Sequence, residues 1–204
     1  MSPVLAAVLL VAAAYLIGAI PFGYLIARSR GVDLFQAGSG NIGATNVGRV
    51  LGRKWGILVF LLDFCKGAVP VALTRNVILA FGIESWPGPV DLWRPVVALA
   101  AFVGHLAPVY LRFRGGKGVA TGFGAVCVLV PGPAIFAIAV WIAAVVSSRM
   151  VSVGSLAAVI ALCAARCLAV NQPFQGEALY PTLFCFAGAA VVIVKHRSNL
   201  ARLR

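Results

Sequence analysis

The 204-residue chain is 62% hydrophobic and only 11% charged, with a formal net charge of +12. Soluble domains carry about 25% charged residues, so the polar groups here are too few to cover a water-soluble globule, and lipid must solvate much of the surface. The positive balance alone would suit a nucleic-acid binder, but the basic residues lie in short segments between apolar runs, as the positive-inside rule describes, which argues for a membrane and no nucleic-acid partner.

A helix needs about 20 apolar residues to cross a bilayer. Runs of that character fall at 4–27, 55–74, 95–112, 119–130, 133–147, 151–170 and 178–194. They predict an all-α, polytopic integral membrane protein forming a single domain over 1–204. The first run lacks a basic n-region, is too long for a signal-peptide core and is followed by Arg28 and Arg30, so it is expected to stay as a helix. In the second, Asp63 and Lys66 stand three apart on one helical face and can neutralise each other, where a lone central charge would cost about 2.5–3.5 kcal/mol. A structural pair and a functional one fit that spacing equally well. The third run carries His105, about 10 Å deep by helical rise from Arg112, which suggests a buried structural histidine remote from the Lys117 segment. Runs 119–130 and 133–147 are short, about 18 and 22 Å, and meet at Pro131-Gly132-Pro133 as two helices or one kinked one. Arg166, about one turn from the end of its run, is expected to snorkel and serve structure. Cys65, Cys127, Cys163, Cys167 and Cys185 lie in apolar runs without a CxxC pair and read as small buried packing residues, with no metal site.

Charge counting settles the threading. With seven crossings, Arg28, Arg30, Arg49, Arg53, Lys54, Arg112, Arg114, Lys117, Arg149, Lys195, Arg197, Arg202 and Arg204 share one side, thirteen of the seventeen Lys and Arg residues. Arg75 and Arg94 lie opposite with Glu84, Asp91 and Glu177. A single crossing over 119–147 would strand the basic tail on the wrong side. Seven transmembrane helices, N-terminus outside and C-terminus cytoplasmic, are therefore expected, with the two short helices implying local thinning or incomplete spanning.

Four stretches on the basic side carry chemistry. In "GSGNIGATN", residues 38–46, Gly38, Gly40 and Gly43 fit a dinucleotide fingerprint. That motif needs a strand before it and a parallel sheet around it, and Asp63, its would-be ribose carboxylate, lies in the bilayer. What survives is the logic of glycine: backbone N–H groups turn towards an anion without Cβ obstruction. Ser39, Gly40, Asn41, Thr45 and Asn46 add donors, and Arg49 adds a planar fork suited to phosphate. "FRGGKGVAT", residues 113–121, is no Walker A, because Leu111 and Gly118 occupy positions that require Gly and Ser or Thr. It is a glycine nest, Gly115, Gly116 and Gly118 around Lys117, opening into a helix N-terminus that favours anions. In the tail "KHRSNLARLR", His196 and Asn199 share a helical face, and His196 can donate, accept or act as base; a lipid-headgroup anchor fits the tail equally. Ser155 lies in "SVGSLAA", where small residues also serve helix packing. Convergence of these groups on one membrane face suits phosphorylated ligands with apolar tails.

"GSGNIGATNVGR", "DFCKGAVP", "GHLAPVYLRFRGGKGVAT" and "KHRSN" resemble, in order and spacing, the bacterial acyl-phosphate-dependent glycerol-3-phosphate acyltransferases of the PlsY type, over nearly the whole chain. The resemblance implies an integral enzyme of the bacterial inner membrane, active on the cytoplasmic face. It would transfer a fatty acyl group from acyl phosphate to the 1-position of sn-glycerol 3-phosphate, giving lysophosphatidic acid and phosphate, the first step of phospholipid synthesis. No cofactor, no metal and no direct use of acyl-CoA or acyl carrier protein are implied. By motif position the resemblance assigns Ser39 and Arg49 to the first motif, Lys117 with the amides of Gly115, Gly116 and Gly118 to a phosphate loop, and His196 and Asn199 to the third; Ser155 resembles a site serine. The family's tail often continues into a stretch with a glutamate, whereas this sequence ends at Arg204. The acyl chain is expected in a groove opened by Gly122, Gly124 and Ala125. A transporter of phosphorylated anions is the competing reading; it would need donors on both faces.

Overall fold

The structure is a computed structural model, and residues 2–82 and 86–197 are described. Glu84, Asn199, Arg202 and Arg204 lie outside the described residues. Among the described residues every regular element is helical: α1 (Pro3–Ala19), α2 (Phe22–Arg28), α3 (Ala44–Leu51), α4 (Arg53–Phe81), α5 (Val90–Leu106), α6 (Val119–Leu129), α7 (Pro131–Ser148), α8 (Val151–Ala169) and α9 (Leu179–Lys195), with 3-10 turns at Val109–Leu111 and Gly176–Ala178. Among the described residues, six stretches are long and apolar enough to cross a membrane: Pro3–Arg28, Arg53–Phe81, Asp91–Leu111, Pro131–Ser148, Val151–Ala169 and Gly176–Lys195. The shorter α6 is about 16 Å long by helical rise. Large apolar side chains point outwards, Leu168 at 89%, Val146 at 74% and Ile135 at 70% exposure, as expected where lipid replaces water.

The chain forms two compact units, residues 1–125 and 126–204. In the first, the 4–27 run is two helices, because Pro21 cannot donate to the ladder and the backbone breaks at Ile20. α1 packs along α5 at backbone distance: a Cβ on Gly18 would overlap the Ala101 backbone, and one on Gly104 the Tyr15 carbonyl. Small residues permit such close approach, which in lipid replaces the hydrophobic drive that water supplies. α4 runs past the predicted end at 74, carrying Pro70 inside it, with Thr74 Oγ1 donating to the Pro70 carbonyl at 2.9 Å. At 29 residues it spans about 43 Å, more than the hydrocarbon core. α3 was not anticipated; Gly52, at φ 98°, reverses the chain between α3 and α4.

In the second unit, the 119–147 ambiguity is resolved locally: Val130 leaves the helical conformation and Pro131 opens α7, so two helices form. Arg149, in the left-handed region at φ 57°, turns α7 into α8. Arg166 bonds across to the neighbouring helix. Its Nε donates to Thr182 Oγ1 at 3.0 Å and its guanidinium to the Ala178 carbonyl at 3.2 Å, so it clamps α8 to the start of α9. These bonds give Arg166 the structural role expected of it. Cys185 is buried as expected, whereas Cys65 is exposed on α4.

Candidate functional site

The segment between α2 and α3 is shaped by its own polar side chains. Asp33 Oδ1 accepts from Phe35 N–H at 3.0 Å, and Asn41 Oδ1 accepts from Gly43 N–H at 2.8 Å, which starts α3. Asn46, in the first turn of α3 and 2% exposed, holds the rest. Its Oδ1 accepts from Ser39 N–H at 2.8 Å, and its Nδ2 donates to the carbonyls of Ala37 at 3.0 Å and Asn41 at 2.8 Å. The sequence suggested Asn46 as a ligand donor; its amide is instead committed to the loop, leaving Ser39, Gly40, Thr45 and Arg49 exposed at the rim. The Arg49 guanidinium lies 3.5 Å from Asn46 Oδ1. Replacing Asn46 with Ala strands one donor and two acceptors, at about 1–3 kcal/mol for each group that stays buried. The expected result is faster hydrogen exchange and proteolysis across 37–46, with reduced turnover and little change in global melting.

The second loop folds back on α5. After the turn Val109–Leu111, Arg112 and Phe113 both take left-handed conformations, at φ 50° and 63°. Phe113 N–H then bonds the Pro108 carbonyl at 2.9 Å, and Gly116 N–H bonds the His105 carbonyl at 3.1 Å. The glycines are sterically required. A Cβ on Gly115 would overlap the His105 and Leu106 carbonyls, one on Gly116 the His105 ring, and one on Gly118 the Phe102 ring. Lys117 is half-buried between them, just before α6. Thr121, in the first turn of α6, has a fully buried hydroxyl without a hydrogen-bond partner among the described residues; the sequence reading passed over it.

The two loops meet. The Arg114 guanidinium stacks 4.0 Å above the Phe35 ring, and Leu111 packs on the cluster Ala27, Leu34, Ile42, Val47 and Val59 beneath the first loop. Ser39, Gly40, Asn41, Thr45, Asn46 and Arg49 therefore share one end of this unit with Gly115, Gly116, Lys117 and Gly118. Straight helical rise placed His105 far from Lys117, but the fold-back brings Gly116 against its ring. Gly122 packs on the Phe102 ring and Gly124 on the Phe64 carbonyl, while Ala125 is fully buried, so the groove expected there is filled. An apolar cavity of about 380 Å³ lies elsewhere, lined by Ile20, Pro21, Tyr24, Leu25, Tyr110 and Leu111.

In the second unit, Ser155 is buried and its hydroxyl donates to the Val151 carbonyl at 2.8 Å. His196, at the end of α9 and 3% exposed, has Nδ1 2.8 Å from the Val192 carbonyl. A carbonyl only accepts, so Nδ1 carries the proton and Nε2 is the basic nitrogen of the neutral ring. Asn199 lies outside the described residues.

Long apolar helices and a rim of glycines and cations define a membrane protein with a basic, glycine-rich end. Residues 8–204 match the glycerol-3-phosphate acyltransferase family. The glycerol-3-phosphate acyltransferase of Anaeromyxobacter dehalogenans is 45% identical, over 100% of this chain and 96% of its own length. The crystal structure of PlsY, an integral membrane glycerol 3-phosphate acyltransferase, in its glycerol 3-phosphate form is 40% identical with a TM-score of 0.83, covering 97% of this chain and 91% of that one. Its lysophosphatidic acid form, also 40% identical, gives 0.80 over the same shares. The chain belongs to the glycerol-3-phosphate acyltransferase family.

Proposed function

We propose that the chain is a membrane acyltransferase that moves a fatty acyl group from acyl phosphate to the 1-hydroxyl of sn-glycerol 3-phosphate, releasing lysophosphatidic acid and phosphate. The observation that carries this reading is the meeting of two glycine-rich, cation-bearing loops through Arg114 on Phe35, in a chain of this family. On the charge bias we assign seven crossings, an outer N-terminus and a cytoplasmic face for the loops, in a bacterial inner membrane, and we treat 1–204 as one catalytic domain. On the motif resemblance we assign Ser155, His196 and Asn199 to the same reaction.

Acyl phosphate is a mixed anhydride, so its leaving group needs no covalent intermediate. The 1-hydroxyl oxygen attacks the acyl carbon, the bond from that carbon to the bridging oxygen breaks, and phosphate leaves with the oxygen and the bonding pair. The barrier lies in bringing two anions together and stabilising the tetrahedral oxyanion, work suited to Arg49, Lys117 and loop amides fixed in place beforehand. We place the acyl chain at the apolar cavity beside the α1–α2 break, lined by Ile20, Pro21, Tyr24, Leu25, Tyr110 and Leu111. The hydroxyl proton goes either to His196 Nε2 or to the donor's own phosphate. His196→Ala decides: loss of a general base costs about 10²–10⁴ in turnover, whereas a loss near tenfold leaves the phosphate as base.

The test uses purified protein in detergent with acyl phosphate and glycerol 3-phosphate, and follows phosphate release and lysophosphatidic acid without acyl-CoA or acyl carrier protein. Turnover is expected. No turnover, together with uptake of glycerol 3-phosphate into sealed proteoliposomes, would instead establish a transporter.

A further inference from the structure

Three polar side chains of the first unit are buried where no substrate group is assigned: Asp63, Lys66 and His105, at 3%, 4% and 4% exposure. Lys66 Nζ lies 2.7 Å from Asp63 Oδ1 and donates to the Ile20 carbonyl at 2.9 Å, just before the Pro21 break. A buried ion pair is weak evidence for stability, since apolar residues of similar volume often serve as well. What this pair does have is a neighbour. His105 Nδ1 is buried with no hydrogen-bond partner among the described residues, and the Asp63 carboxylate faces it at 3.7 Å. That is too long for a hydrogen bond but short for a charge. Buried polar atoms left unpaired are uncommon and often mark function.

The other edge of the same ring supplies the reason. His105 Nε2 lies so close to Gly116 that no Cβ fits between them, and the His105 carbonyl accepts Gly116 N–H at 3.1 Å. Ring and backbone of one residue thus hold the loop next to Lys117, and the Asp63 carboxylate lies behind the ring. We propose that the buried Lys66–Asp63 pair orients His105, and that His105 in turn positions the Gly115–Gly118 loop for the reaction. All three act as positioning residues, through the loop and without contact to substrate. The proposal rests on the reading of that loop as a phosphate-binding element of an acyltransferase.

The test compares wild type, Asp63→Asn, His105→Gln and the double variant Asp63→Leu/Lys66→Met, with Lys117→Ala beside them, by steady-state kinetics and thermal melting in detergent. A loop misplaced by about 1 Å can cost about 10²-fold in rate. Asp63→Asn is expected to lose about that in kcat with KM changed less than threefold. His105→Gln, which keeps a polar amide at the ring's place, should retain part of the activity. The double variant removes the charges and refills the space, so it should melt near wild type yet keep the loss in kcat. A double variant with wild-type kcat would overturn the proposal, as would loss of folded protein in all three substitutions, which would assign the cluster to stability. If wild type itself fails to turn over, the acyltransferase reading falls first; if wild type is active and the Asp63 variants match it, only the positioning role falls.

Discussion

Lys117→Ala is expected to abolish measurable turnover while leaving the protein folded. Lys117 is the single cation in the run from Gly115 to Gly118, half-buried where the chain turns into α6. The first N–H groups of a helix lack intrahelical partners and carry partial positive charge, so the lysine adds a full charge to a place that already favours anions. Both reactants are anions, and a further negative charge develops on the tetrahedral oxygen. Removing one fixed donor at such an oxygen typically costs about 10²–10³ in kcat, and here the anion repulsion it offsets adds to that. Phosphate release from acyl phosphate, scored with a melting curve on the same preparation, checks the expectation. A rise in KM with unchanged kcat would mean that Lys117 grips the ground state only. Lys117→Arg should rescue poorly: the planar fork is wider than an ammonium, and the flanking glycines already touch the His105 and Phe102 rings.

Much of this was legible in the sequence where one physical rule dominated. Apolar runs located the helices after residue 119 to within about two residues and the earlier ones more coarsely, because lipid forces backbone groups to pair within the segment. The i, i+3 spacing of Asp63 and Lys66 gave their pairing, since helix geometry brings such residues together. What the sequence left out depends on tertiary contacts that spacing along the chain does not encode. His105 was placed by straight helical rise, whereas two consecutive left-handed residues, Arg112 and Phe113, fold the next segment back onto it. Asn46 read as a donor for substrate because its residue type permits that; its burial under the loop, set by packing of α3, assigns its amide to Ser39, Ala37 and Asn41. Gly124 read as an opening and proved to be a contact, since a missing Cβ leaves space only if no other helix takes it. For Gly115, Gly116 and Gly118 the sequence reading gave one reason, exposure of amides to an anion, and the structure adds another, close approach to α5.

That second reason makes Gly115→Ala the other change with a large expected effect. The added methyl would meet the carbonyl oxygens of both His105 and Leu106. These are backbone atoms at the end of α5, so no side-chain rotamer relieves the overlap, and α5 is held in turn by its close packing on α1. The loop is the part free to give, and it must shift by about 1 Å, a displacement that can cost about 10² in rate when it misplaces a reacting group. The expected result is a loss of that order in kcat/KM with the melting temperature lowered by only a few degrees. Gly132→Ala and Gly188→Ala are the controls, because a Cβ at either position meets nothing within 4 Å; both should keep wild-type turnover. A Gly115→Ala enzyme with wild-type kinetics would show that the loop accommodates the methyl without disturbing Lys117, and the fixed placement of that loop by α5 would have to be abandoned.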